Sequence, residues 1–369
     1  MNYSYWENKQ WFANIDFTIV GSGIVGLNCA LQLKKNHPKA TVLILEKGIL
    51  PQGASTKNAG FACFGSLSEL VDDLKTHTEK EVFDLVNKRW QGLQILRKNL
   101  GNKTIDFQQN KGFEIFKNQQ SFDEVYAHKN EINKLLNPIF NAAVFSEIDN
   151  KFGFEKVHSK YSVNNFEGQI DTGKMVNQLL FKVQNLGVKI LNCISVENFT
   201  ETGNQIEIKT NQNNFKTAKL FIATNGFSNQ LLNEEVKPAR AQVLITKPIK
   251  NLHIKGTFHF DKGYYYFRNI DNRILFGGGR NLDFKKEETT EFGETEIIQN
   301  ELKRILEETI LPNTRFEIDY SWSGIMGVGN KKNAIVKQIS NNVFCGIRLG
   351  GMGIAIGSLV GQELADLLD

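Results

Sequence analysis

Gly21-Ser22-Gly23-Ile24-Val25-Gly26 spells G-x-G-x-x-G, a pattern whose glycines permit a tight turn, close approach of a pyrophosphate to the backbone and close packing of the following helix. About 20 residues later Glu46, followed by Lys47, stands where an acidic side chain accepts hydrogen bonds from the ribose hydroxyls of a dinucleotide. The chemistry implied is redox chemistry carried by a bound cofactor. A plain glycine-rich turn beside a surface Glu is the bland alternative. Other catalytic types find no support, since G-x-S-x-G, H-E-x-x-H and P-loop patterns are absent. The six histidines (His37, His77, His128, His158, His253, His259) lie without ligand spacing, and the four cysteines form no C-x-x-C pair, so no metal site is expected. His259, within Phe258-His259-Phe260, reads as a satisfied strand residue rather than a base.

The elements that must position these residues follow from periodicity. Residues 16–20 form a short β-branched run, 27–35 carry apolar side chains at helical spacing and 41–45 form a second buried strand, which together make a βαβ unit. Further on, 66–100 and 121–136 read as helix, with 105–116 and 156–164 as strands. The α/β pattern returns with a helix at 173–186 and strands at 189–196, 205–210 and 219–223. Residues 241–320 are rich in aromatics and strand formers around a helix at 291–308, and the chain ends in a Gly-rich segment leading into a helix at 356–368.

The loop Gly53-Ala54-Ser55-Thr56-Lys57-Asn58-Ala59-Gly60-Phe61 follows the second strand directly. It resembles the G-A-S-x-R-N-[AG]-G loop of the superfamily of D-amino-acid oxidase, glycine oxidase and sarcosine oxidase, which are FAD enzymes. The resemblance implies that Ser55, Thr56 and Asn58 contact FAD and that Gly60 lets the backbone pass the isoalloxazine ring. Lys57 departs from the family, which commonly carries Arg there, keeping the charge and losing the bidentate fork. Leu220-Phe221-Ile222-Ala223-Thr224-Asn225-Gly226 is similar to the family's strand end that returns to the cofactor, placing Ala223, Thr224 and Gly226 there, with the backbone of Val196 near the adenine. Gly346-Ile347-Arg348-Leu349-Gly350-Gly351-Met352-Gly353-Ile354-Ala355 is a second Gly-rich helix start. Its use would be to aim N–H groups of Gly350, Gly351, Met352, Gly353 and Ile354, and a helix dipole, at the N1/C2 carbonyl edge of the flavin.

The reacting face is expected from the hairpin Gly263-Tyr264-Tyr265-Tyr266-Phe267-Arg268 and Arg273-Ile274-Leu275-Phe276-Gly277-Gly278-Gly279-Arg280, which looks like the family's substrate-cavity wall. Strand alternation puts Tyr264, Tyr266 and Arg268 on one side and leaves Tyr265 and Phe267 to the core. Arg268 and Arg348 are the candidate anchors for a substrate carboxylate. Trp322 reads as a packing anchor. Members with covalent flavin often use a Cys in the segment corresponding to about 320–334; none lies there, so the FAD is expected to be noncovalent.

The fold expected is α/β with α+β character: a discontinuous Rossmann-like FAD-binding domain (1–70, 150–235 and 321–369) and a mixed or antiparallel-sheet substrate-binding domain (71–149 and 236–320). The function the family resemblance implies is oxidation of the C–N bond of an amino acid or other small amine, by hydride transfer to flavin N5 and hydrolysis of the resulting imine, a deamination. Oxygen or a quinone or carrier would take the electrons, with oxidase and dehydrogenase both open. A 2-hydroxy-acid oxidase or dehydrogenase of the same fold is the alternative, and a flavoprotein modifying tRNA ranks below both. Lys+Arg 44 against Asp+Glu 40 leaves +4 over 369 residues, spread without a basic block, so nucleic acid is not an expected partner. No secretory h-region or transmembrane run appears, which fits a cytoplasmic protein.

Overall fold

The apolar run near residue 16 becomes the strand Ile15–Val20, paired in parallel with Val42–Leu45 on one side and Asn214–Ile222 on the other. The computed structural model describes residues 3–368. Outward from this centre, Val343–Ile347 and then Ile335–Gln338 extend one edge and Lys189–Leu191 the other. An antiparallel meander, Val196–Thr202 and Gln205–Thr210, folds onto Asn214–Ile222. Successive strand side chains point to opposite faces. Val42 and Ile44 therefore enter one core and Leu43 and Leu45 another. The first core lies beneath helices Ile24–Asn36, Thr172–Asn185 and Gly353–Asp366, joined by Leu93, Leu96 and Leu100 of the long helix Glu79–Leu100.

The second sheet runs Ile318–Val328, Lys237–Thr246, Arg273–Gly278, Tyr265–Ile270, Thr257–Phe260, Gly112–Ile115, Lys160–Asn164, Phe145–Asp149. Its central hairpin turns on Asp271 and Asn272, both with positive φ (48° and 58°). A two-residue hairpin turn of that type needs φ above zero at both positions, and Asp and Asn tolerate it best after Gly. Alternation sends Leu244, Phe258, Tyr265, Phe267 and Phe276 into a core with Ile298 and Leu302 of the helix Glu296–Ile305. The opposite face of this sheet looks toward the Gly-rich ends of the first.

Sheet membership departs from the expected boundaries. Lys160–Asn164 and most of Ile318–Val328 belong to the second sheet, although 150–235 and 321–369 read as nucleotide-binding segments. A strand pattern reports which face is buried, not which sheet supplies the neighbour. The expected helix at 66–100 is two, because Ser66 and Thr78 each cap a new start through capping boxes with Glu69 and Glu81.

Candidate active site

Between the two sheets lies a cavity of about 1090 Å³, large for a single small-molecule pocket. One end is built by backbone. A Cβ on Gly26 would sit 2.0 Å from the carbonyl oxygen of Gly21, so only glycine lets the helix Ile24–Asn36 start this close to the turn. Gly21, Gly23, Ile24 and Val25 line the cavity, with Gly26 packed behind them. Ser55 Oγ accepts from the N–H of Ile24 at 2.9 Å, so the second loop is bolted to the helix N-terminus. The Glu46 carboxylate is already oriented: Ser22 donates to Oε2 from its N–H (3.1 Å) and Oγ (2.6 Å), and Gly48 N–H donates to Oε1 at 3.0 Å. A carboxylate has about four acceptor sites, so capacity remains for ribose hydroxyls. Lys47 and Val196 line the same end.

The Gly53–Phe61 loop is held by its own side chains. Asn58 donates to the carbonyls of Ala54 and Ser55 and accepts from Gly60 N–H at 2.8 Å and from Thr172 Oγ at 2.9 Å. Gly60 has φ +75°, and a Cβ there would lie 2.4 Å from the carbonyl of Ile170. Trp322 Nε1 donates to the Lys57 carbonyl at 2.9 Å, which makes it an anchor for this loop. Thr56 does not reach the cavity, because its hydroxyl is bonded to the carbonyls of Pro51 (2.7 Å) and Gly53 (3.2 Å). Ala223 and Thr224 line the cavity, and Thr224 Oγ is buried without a partner. Gly226 is instead packed against Met326. Gly350, Gly351, Met352, Gly353 and Ile354 close the far side of the cradle, with the N-terminus of the helix Gly353–Asp366 directed into it.

The two arginines expected to anchor a carboxylate do neither. Arg348, at φ +62°, turns its guanidinium away from the cavity and donates to the carbonyls of Asn333 (3.2 and 3.1 Å) and Glu235 (3.2 Å). Arg268 is sealed behind Gly60, its Nε unpartnered, and burial draws its pKa down to about 10 against the pull of Asp171, Asp106 and Asp271. Tyr264 and Tyr266 do line the cavity. Burial raises the Tyr266 phenol to about 12, so it is a neutral O–H donor.

Beside Tyr266 stands a group that strand periodicity could not distinguish from core. His259, only 7% exposed, lines the cavity, and its Nε2 lies 2.6 Å from Oε1 of fully buried Glu167. Thr257 Oγ donates to the same oxygen at 2.7 Å. Burial alone lowers the imidazole pKa, and the Glu167 carboxylate overrides it, with Glu69 and Glu114 in support; the net is a rise to about 9. Cys63 completes the neighbourhood, and its donor atom and those of Glu167 and His259 lie within 4.8 Å of one another. Sequence reading expected no metal site, and this trio alone among the described residues has ligand-like spacing. Within it His259 and Glu167 make an ion pair at 2.6 Å, and burial raises the neighbouring Cys63 thiol.

The glycine cradle, the pre-set Glu46 and the two helix N-termini fit a dinucleotide whose second half carries a ring. Residues 16–367 match the family DAO, described as FAD dependent oxidoreductase. The chain belongs to the DAO family. A probable oxidoreductase, OrdL, of Haemophilus influenzae is 20% identical over 371 residues, covering 96% of this chain and 82% of OrdL. Among solved structures, L-proline dehydrogenase from P. horikoshii superimposes with a TM-score of 0.77 at 20% identity, covering 96% of this chain and 93% of that one. Glycine oxidase from Bacillus cereus gives 0.75 at 16%, covering 96% and 94%. This DAO-family protein is an FAD-dependent oxidoreductase, and the Gly-rich cradle is the candidate site for its FAD. Among its described residues no helix is long and apolar enough to cross a membrane.

Proposed function

We propose that this DAO-family enzyme oxidises the C–N bond of an amino acid or other small amine. The observation that carries the reading is the geometry of the cavity wall, where the Glu167 carboxylate lies 2.6 Å from Nε2 of His259. His259, held cationic by Glu167, and Tyr266, held neutral, are both donors at neutral pH. Removing hydride from an alcohol requires a base for a proton of high pKa, whereas an amine can arrive already deprotonated. A wall of donors suits the second case. The amino-acid substrates named for L-proline dehydrogenase, glycine oxidase and the L-amino acid deaminase of Proteus vulgaris lend support.

Noncovalently bound FAD supplies a two-electron acceptor at the cradle. The chain's own residues hold the substrate between that cradle and the second sheet, with His259 and Tyr266 donating to its oxygen atoms and leaving the nitrogen lone pair free. As hydride leaves the α-carbon, the nitrogen lone pair closes the C=N bond. Water then adds to the imine, giving a carbonyl product and free amine.

A 2-hydroxy-acid substrate is the second reading, favoured by the presence of an imidazole in the cavity at all. Anaerobic bleaching of the flavin by a panel of amino acids, N-methyl amines and 2-hydroxy acids at pH 7 tests both. Reduction by amines or amino acids is expected; reduction by hydroxy acids alone would overturn the proposal. Acid precipitation should release FAD to the supernatant. Reoxidation in air, compared with reoxidation by a soluble quinone, then assigns the acceptor.

A further inference from the structure

Outside the main cavity, the loop 47–52 and the helix Thr172–Asn185 frame a recess of about 450 Å³ beside Lys189–Leu191, the edge strand of the first sheet. Leu50, Phe181 and Ile190 line it, and no charged side chain does. Apolar side chains stand out of the surface around it: Ile49 is 71% exposed, Leu50 66% and Phe181 56%. Loop tips are ordinarily polar, so two consecutive exposed aliphatic residues mark a contact surface. The same edge continues to the helical residues 5–12, because Lys189 Nζ donates to the Gln10 carbonyl and lies 5.9 Å from the Trp11 ring. Tyr5 and Trp6 stand within about two helical turns of Trp11. With Ile49 and Leu50 they are the four most exposed large apolar side chains among the described residues.

The charge along this edge has one sign. Residues 8–15, 47–68 and 172–196 contain no Asp or Glu. Lys9, Lys182 and Lys189 belong to these segments and form no ion pair among the described residues. The acid of the neighbouring turn, Glu7, has its carboxylate folded back onto the N–H of Ser4 at 2.7 Å. Protein–protein interfaces are depleted in Lys. A surface that seats aliphatic and aromatic tips between lipid headgroups instead gains from lysines, whose stems lie on apolar surface while their ammonium groups reach the phosphates. Trp and Tyr favour the same depth.

We propose that this edge, from Leu50 and Phe181 to Trp6, is a peripheral docking surface for an anionic lipid bilayer. None of its residues lines the main cavity, so the proposal is independent of the substrate reading. Sedimentation of the FAD-loaded protein with vesicles tests it. With vesicles of equal phosphatidylcholine and phosphatidylglycerol the protein is expected in the pellet at low salt, with a Kd at least about tenfold lower than for phosphatidylcholine alone, and raised salt should return it to the supernatant. Leu50→Glu/Phe181→Glu and, separately, Lys9→Glu/Lys182→Glu should each raise that Kd at least about tenfold, since one signal alone gives only marginal binding. Flavin absorbance and Tm should stay unchanged in both. Absence of the wild type from the mixed-vesicle pellet, equal binding to the two vesicle types, or undiminished binding by either variant overturns the proposal. The comparison of vesicle types uses wild type alone and stands whether or not a variant folds. Light scattering tests the other occupant: a wild-type dimer that Leu50→Glu/Phe181→Glu converts to monomer assigns the face to a second copy of the chain and overturns lipid docking.

Discussion

The Glu167–His259 pair makes a quantitative demand on stability. An imidazole whose pKa rises from 6.5 to about 9 on folding holds its proton more tightly in the native state, by about 3 kcal/mol. The sign follows from a raised pKa. That stabilisation is fully present below about pH 6.5 and is lost as pH climbs through about 9. The perturbation is the double variant His259→Asn/Glu167→Gln, which removes both charges and retains a polar pair of similar size. Denaturant unfolding of the FAD-saturated protein at pH 6, 8 and 10 is the assay, with wild type and variant compared at each pH. Their difference should shrink by about 3 kcal/mol between pH 6 and 10. The single variant Glu167→Gln should separate the causes, since burial then prevails and His259 becomes neutral near pH 7. Parallel stability curves for wild type and the double variant across this range would refute the reasoning, and with it the argument that the cavity wall presents donors.

Two further expectations are independent of that pair. Gly26→Ala forces a Cβ to 2.0 Å from the Gly21 carbonyl; overpacking of this kind costs about 1–3 kcal/mol, so FAD titrated into deflavinated protein should bind about tenfold more weakly or worse. Arg348→Met removes the guanidinium's bonds to the Asn333 and Glu235 carbonyls and should lower unfolding free energy by about 1.5–3 kcal/mol without changing the KM of any substrate that bleaches the flavin. A raised KM at unchanged stability would return Arg348 to the substrate site.

The Gly-rich half of the candidate site was legible because it is made of backbone. Glycines at Gly21, Gly23, Gly26 and Gly60 and the acid at Glu46 act through local geometry that residue type and spacing report directly. The substrate half is made of side chains that meet across long stretches of chain. Glu167 and His259 are 92 positions apart, and nothing local to Phe258-His259-Phe260 tells a cavity-facing imidazole from a packed one. Arg348 misleads for a different reason. Its place beside the glycines is as expected, and its left-handed backbone sends the side chain the other way. Thr56 likewise sits in the right loop with its hydroxyl turned to Pro51.

The Gly-rich cradle draws its walls from residues as far apart in sequence as Gly21 and Gly353. During synthesis the first βαβ unit therefore leaves the ribosome long before its cofactor site exists. Until Val343–Ile347 adds to Asn214–Ile222 and the last helix packs on Ile24–Asn36, the core beside the early strands lacks one of its covering helices. Native pairing of such distant segments is slow, and exposed strand faces aggregate. Loading of FAD into this cradle is thus expected to follow release of the full chain, and added FAD to raise the native yield on refolding.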